Sequence, residues 1–327
     1  MKTVLKVEDL KVGIKGKKSI TYPIQNVSFD INVGESLALV GESGSGKSMT
    51  AMSIMGLLRS WNSHLNTEID GKIEFTTKAG KTHQLTEIDD RAYDLIRGKD
   101  LSIIFQEPLY ALNPVISIGK QIGEVIWAHE KASKKEVEQR VVSLLKRVGI
   151  PDPENRMHDF PHQFSGGQLQ RVMIAMSIAC DTSCLIADEP TTALDVTIQK
   201  QILNLLKQLQ KEEKLSILLI THDLGVVSQF ADKVAVMFAG TIVEYGYVEK
   251  VFKNPIHPYT KLLLESIPTL ETEPGVRLRT KKDFLSDEGK KKGELVFDPD
   301  HRQENYHLKL IEKEHYVSNS FTREVTV

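Results

Sequence analysis

Residues 41–48 read GESGSGKS, and no other stretch restricts the fold so tightly. Gly41, Gly44 and Gly46 pack nothing and cost backbone entropy, so they must serve the backbone itself. The apolar strand ESLALV runs into them and the helical pattern KSMTAMSIMGLL runs out. A strand that enters a glycine turn and leaves as a helix aims a cluster of N–H groups inward at an anion. The spacing fits G-x-x-x-x-G-K-[ST], in which the lysine reaches the β and γ phosphates of a nucleotide and the hydroxyl meets Mg²⁺. Gly41, Glu42, Ser43, Gly44, Ser45, Gly46, Lys47, Ser48 and Met49 are therefore the expected ATP-binding residues. A plain Gly/Ser linker explains the glycines but neither Lys47 nor the flanking strand.

The rest of such a site needs acids at a neighbouring strand end. The run CLIADE supplies them, since an apolar strand delivers Asp188 and Glu189 at its carboxyl end, where open α/β sheets bind ligands. Asp188 is expected to hold Mg²⁺ together with Ser48, and Glu189 to polarise an attacking water. A second buried strand, LSILLITHD, ends at His222. Apolar strands alternating with helices, among them VTIQKQILNLLKQLQKEE, predict a parallel sheet covered on both faces. KVAVMFAGTIVEYG reads as a hairpin-like pair. Helical patterns over about 107–170 interrupt the strand order and predict an inserted helical subdomain. A loop and strand are expected at WNSHLNTEIDGKIEFTT, and a Lys-rich loop at 281–292.

A second glycine loop, FSGGQLQR at 164–171, stands directly before the run VMIAMSIA. Ser165, Gly166, Gly167 and Gln168 look like a helix N-terminus bared for an anion, yet the chain already has a phosphate loop.

Composition narrows the partners. Forty-two basic against 44 acidic side chains leave a formal net charge of −2, which gives no field for nucleic acid. No stretch approaches the roughly 20 apolar residues of a membrane span, and the first residues lack the apolar core of a signal peptide. The chain is expected inside the cell, with membrane contact made through a partner. Its only cysteines, Cys180 and Cys184, read as small buried hydrophobes.

FSGGQ resembles the LSGGQ signature of the ABC ATPases, with Phe164 where leucine is usual. The remaining marks stand in family order: Gln106 in IIFQEP resembles the Q-loop, Asp195 in TALD the D-loop and His222 in ITHD the switch histidine. FQEPLYALNP and NPIHPYTKLLLESIP are similar to stretches of the oligopeptide, dipeptide and nickel importer group. The resemblance implies an α/β P-loop NTPase fold with a RecA-like core, an N-terminal antiparallel β subdomain, the helical insertion and a small C-terminal extension. Residues 1–252 would form the ABC ATPase domain and 253–327 the oligopeptide-transporter-type extension.

It further implies Glu189, His222 and Gln106 as catalytic residues, and Ser48, Gln106 and Asp188 as Mg²⁺ ligands. The signature would cap ATP held by a second ABC ATPase subunit, with a heterodimer expected and a homodimer as the other arrangement. Two permeases and, indirectly, an extracytoplasmic binding protein complete an importer at the cytoplasmic face of the membrane. Peptide is the expected cargo, nickel or a metal chelate the alternative, and a soluble non-transport ABC ATPase the competing class. Relatives often carry a cysteine cluster near the C-terminus; no cysteine follows Cys184 here, so no iron–sulfur centre is expected. The family's adenine-stacking position falls on Ile14, with Tyr22 as a nearby candidate.

Overall fold

The computed structural model describes residues 2–60, 67–192, 194–266, 296–297, 308–312, 314–318 and 321–322. The loop expected before residue 67 and the Lys-rich loop at 281–292 lie outside them. The chain opens with an antiparallel pair, β1 (Thr3–Lys15) and β2 (Ile20–Asn32), followed by β3 (Ser36–Val40). The glycine loop leads into α1 (Lys47–Ile54) and α2 (Leu57–Ser60). β4 (Thr67–Thr76) and β5 (Thr82–Gln84) complete a four-stranded antiparallel sheet in the order β2-β1-β4-β5. α3 (Asp90–Asp94) and β6 (Leu101–Ile104) come next.

Five helices then stand between β6 and the next strand: α4 (Pro108–Ala111), α5 (Ile118–His129), α6 (Lys134–Arg147), α7 (Pro153–Arg156) and α8 (Gly166–Ser177). The three long ones, α5, α6 and α8, form because their apolar residues recur every three or four positions. Ile118, Ile122 and Ile126 of α5 and Val137, Val141 and Leu145 of α6 enter one core with Leu169 and Val172 of α8. α6 starts where its sequence says it should, at a capping box between Ser133 and Glu136.

The chain returns to the sheet with β7 (Cys184–Asp188), α9 (Val196–Glu213), β8 (Ser216–Thr221), α10 (Leu224–Phe230), β9 (Lys233–Phe238) and β10 (Thr241–Tyr247). α11 (Val248–Lys253) and α12 (Pro258–Glu265) follow, then β11 (Val296–Phe297), β12 (Leu308–Glu312), β13 (His315–Ser318) and β14 (Phe321–Thr322). The main sheet has the order β12-β13-β10-β9-β3-β8-β7-β6. Its members from β9 to β6 run parallel, and β10 turns back on β9 as the expected hairpin.

The unbroken apolar runs have a direct physical cause. Ile217 and Leu219 of β8 enter the core shared with the helical insertion, while Leu218 and Ile220 enter the core under the antiparallel sheet. Both faces are buried, so the central positions of the strand are apolar on both sides. Each such side chain contributes roughly 1.5–3 kcal/mol through burial.

Parallel pairing brings four strand ends to one edge. Val40 pairs with Thr221, Asp188 with Ile220, and Ile104 with Ala187. The glycine loop, Glu189, His222 and Gln106 all follow these ends within two residues.

Candidate nucleotide site and signature loop

The glycine loop is shaped by what surrounds it. Gly46 has φ +107°, and a Cβ there would lie 2.7 Å from Met237 Cε and 3.0 Å from the Pro23 carbonyl oxygen. Only glycine fits. Gly46 is also the residue before α1, and no side chain caps that helix. The first N–H groups of α1 are thereby left to an anion. Lys47 is buried, and its Nζ donates to the carbonyls of Gly41 at 2.8 Å and Glu42 at 2.9 Å. Burial pulls the Lys47 ammonium pKa down, against the opposing pull of Glu189, Asp188 and Glu42. Glu42, Ser43 and Gly44 are exposed, Ser45 is buried, and Met49 packs against the core beneath the antiparallel sheet.

Ser48 Oγ donates to Asp188 Oδ1 at 3.2 Å. Burial pushes the Asp188 carboxyl pKa up, and the Ser48 hydrogen bond partly offsets this. A buried carboxylate of this kind is suited to a cation. Ser48 and Asp188 offer hard oxygens 3.2 Å apart, the donor chemistry that Mg²⁺ takes, and Gln106, whose Nε2 donates to Glu189, carries an amide oxygen of the same kind.

Glu189 is the hub of the site. Its Oε2 accepts from Gln106 Nε2 at 3.1 Å and from Thr192 Oγ1 at 2.9 Å, and its Oε1 lies 3.2 Å from His222 Nδ1. Its backbone has φ +48°, a left-handed conformation that costs a non-glycine residue roughly 1–2 kcal/mol. The Glu189 N–H is tied to the Ile220 carbonyl at 2.9 Å, so the sheet enforces the conformation that aims this carboxylate.

The signature loop is built differently. Ser165 caps α8 by accepting the Gln168 N–H at 3.4 Å, and Gln168 Oε1 accepts the Ser165 N–H at 3.1 Å. Gln168 therefore has a capping role within its own chain. The Arg156 guanidinium sits 4.0 Å from the Phe164 ring centroid and donates to the Gln163 carbonyl at 3.1 Å, which clamps the loop from behind. The two glycines are not equivalent. A Cβ on Gly167 would lie 2.7 Å from Ile198 Cγ2, whereas a Cβ on Gly166 would meet only Leu194 Cδ2 at 3.8 Å. Gly167 is small so that α8 and α9 can approach; at Gly166 a side chain would make only an ordinary contact. Asp195 caps α9 and accepts from the N–H groups of Thr197 and Ile198 at 3.0 Å.

The fold thus brings Ser48, Gln106, Asp188, Glu189 and His222 to the glycine loop. Among the described residues no hydrogen bond joins 165–168 to 41–48. Ile14 pairs across from Thr21, and Tyr22 lies against Gly13 with Lys11 Nζ 4.2 Å from its ring centroid. Sequence reading did not single out Thr192, Arg156 or Tyr259, whose hydroxyl accepts the Glu42 N–H at 3.0 Å. The HPYT segment was the only sign of the last.

Residues 24–192 match the ABC transporter family, and residues 243–292 match the C-terminal region of oligopeptide/dipeptide transporters. The dipeptide transport ATP-binding protein DppD of Bacillus subtilis (strain 168) is 49% identical over 271 residues, 83% of this chain and 78% of DppD. The oligopeptide transport ATP-binding protein OppD of the same organism is 50% identical over 269 residues, 82% of this chain and 73% of OppD. Among solved structures, the dimeric ATP-binding cassette MJ0796 in a post-hydrolysis state bound to ADP and Pi superposes with a TM-score of 0.63 at 26% identity. That match covers 75% of this chain and 98% of the cassette. CbiO1 from Clostridium perfringens, part of the ABC transporter complex cbiONQ, gives a TM-score of 0.62 at 28% identity over 78% of this chain and 92% of its own. Sheet order, converging strand ends and both matched regions agree, and the chain belongs to the ABC transporter family as an ATP-binding subunit of its oligopeptide/dipeptide transporter group.

Proposed function

We propose that the chain hydrolyses ATP to drive peptide uptake, at sites each shared between two ATPase subunits. The observation that carries this reading is the Glu189 carboxylate, held by Gln106, Thr192 and His222 beside the Ser48–Asp188 pair. The peptide cargo is supported by the relatives, which are named for dipeptide and oligopeptide transport. A paired arrangement is supported by the dimeric MJ0796 cassette and by Gly166, where an added Cβ would make only an ordinary 3.8 Å contact with Leu194.

ATP lies with its phosphates on the glycine loop. Lys47 exchanges the Gly41 and Glu42 carbonyls for β- and γ-phosphate oxygens. Ser48, Asp188 and Gln106 would hold Mg²⁺, which neutralises charge on the phosphoryl oxygens when bound. Glu189 takes a proton from the water that attacks the γ-phosphorus. His222, exposed and 3.2 Å from Glu189, contacts the γ-phosphate and steadies the base. The signature loop of a partner subunit presents its N–H groups to the same phosphate, and closure excludes water. Tyr22 or Ile14 lies beside adenine.

Two permease subunits dock at the segment after Gln106. Leu109, Tyr110 and Val115 are 64%, 86% and 78% exposed there, beside a groove of about 200 Å³ whose walls include Phe105, Leu112, Val125, Met173 and Met176. Gln106 opens this segment, so nucleotide state and permease position share one element. No helix among the described residues is long and apolar enough to cross a membrane. The subunit sits at the cytoplasmic face through its permeases, paired with a different ATPase chain and served by an extracytoplasmic binding protein. An iron–sulfur centre has no place in this reading. Burial raises the thiol pKa of Cys180 to about 11 and of Cys184 to about 12, which disfavours thiolate ligands.

The test is ATPase activity of the purified complex with its binding protein. Di- or oligopeptides should raise the rate. Stimulation by a nickel chelate and by no peptide would overturn the cargo.

A further inference from the structure

The HPYT segment, 257–260, lies far from the glycine loop in sequence and against it in space. Pro258 opens α12, where its missing N–H is no loss. His257 caps the helix, its Nδ1 accepting the Tyr259 N–H at 3.2 Å. Glu244 of β10, fully buried, fixes the entry to the helix. Its carboxylate accepts the N–H groups of Ile256 and His257, both at 3.0 Å, and meets His315 Nε2 at 2.8 Å. Tyr259 is thus delivered on a rigid mount. It is 2% exposed, its ring centroid lies 4.5 Å from that of Phe238, and its hydroxyl accepts the Glu42 N–H at 3.0 Å.

That N–H shares one peptide unit with the Gly41 carbonyl, to which Lys47 donates at 2.8 Å. Tyr259 and Lys47 therefore grip the two ends of a single peptide plane. On the reading that this loop binds ATP, on which the inference rests, Lys47 must release its end to reach phosphate. The peptide then has Tyr259 as its remaining hold in this pair, in a backbone where Gly41 sits at φ +154° with the Met237 carbonyl against it.

We infer that Tyr259 is a positioning residue of the nucleotide site, and that the C-terminal HPYT segment braces the glycine loop in its phosphate-binding shape. The brace acts on binding of ATP more than on the chemistry after it.

Tyr259→Phe in the full chain keeps the ring on Phe238 and removes the acceptor. The Kd for MgATP should rise roughly 3–10-fold, the worth of one hydrogen bond. KM should rise with it, and kcat at saturating ATP should fall by less than KM rises. Nucleotide-free thermal stability should stay close to wild type, while Tyr259→Leu, which also empties the ring site, should lower it. A Phe variant with lowered melting temperature and wild-type Kd would assign Tyr259 to packing and overturn the brace. Lys47→Ala, measured alongside, separates the two ideas. If it too binds ATP as wild type does, the loop assignment falls. If it weakens binding while Tyr259→Phe does not, only the brace falls.

Discussion

Both glycine loops open a helix, and they finish the opening in opposite ways. α1 has no side-chain cap, and Lys47, Ser48 and Asp188 of the same chain surround its first turn. α8 is already capped by Ser165 and Gln168, is clamped behind by Arg156, and has room for a Cβ at Gly166. The first loop has unmet donors and a set of partners around them. The second meets the N–H groups of Ser165 and Gln168 within its own chain, and among the described residues no hydrogen bond takes those of Gly166 and Gly167. Glycine-rich composition alone therefore does not define a phosphate site; what matters is whether the same chain supplies the surrounding charges. On the function proposed above, 41–48 recruits its ligand directly and 165–168 is a lid for a site elsewhere.

The comparison breaks most visibly at Glu189. Glu189→Gln keeps the shape and removes the base, so hydrolysis should drop roughly 10²–10⁴-fold while ATP still binds. Unchanged turnover would take Glu189 out of the mechanism.

Gly166→Asp tests the lid. Its Cβ has room, so the variant should fold and bind ATP at its own loop, yet hydrolysis should fall on the order of 10²-fold, the worth of oxyanion donors. Gly167→Asp should instead lose thermal stability, because Ile198 fills that space. In mixed dimers, pairing Gly166→Asp with Lys47→Ala should leave one intact composite site that binds ATP. Loss of ATP binding by an isolated Gly166→Asp subunit would return the lid to its own chain.

Lys47→Ala removes charge-assisted contacts worth about 1.5–3 kcal/mol, which equilibrium binding of labelled ATP would register. Wild-type affinity there would make the two loops alike.

The smallest effect concerns Asp188. Its raised carboxyl pKa means burial disfavours the charged form, so that charge costs stability above the usual carboxylate range. Asp188→Asn should raise the nucleotide-free melting temperature by about 1–2 °C near pH 7 while weakening Mg²⁺-dependent hydrolysis. The gain should vanish at low pH, where Asp188 is protonated in both states. A lowered melting temperature near pH 7 alone would show that the hydrogen bond from Ser48 to the charged carboxylate outweighs burial.

Much of the site was legible because its signals are local. GESGSGKS, CLIADE and ITHD each stand at one strand end, and the apolar runs around them reveal a doubly covered sheet. What stayed hidden depends on distance along the chain or on shape. Tyr259 reaches Glu42 across 217 positions, and no local pattern encodes that meeting. Gly166 and Gly167 look identical in sequence; only Ile198 tells them apart. α10 and α11, of seven and six residues, are too short to display a helical period. Asp195 was read from resemblance as a D-loop residue, and its cap on α9 shows the local reason for an aspartate there.

The strands near the chain's C-terminal end have a consequence for handling the protein in solution. β10 is buried through its five central residues, and β13 and then β12 lie along its outer side. Uncovered, β10 would present a row of hydrogen-bonding groups on an apolar strand, a template for stacking one molecule on the next. The cover moves the rim outward to β12, a five-residue strand carrying Lys309 beside the half-exposed Leu310 and Ile311. Short length and charge are what keep such a rim from adding further strands. A shortened chain could keep every residue of its nucleotide site and still be lost to precipitation.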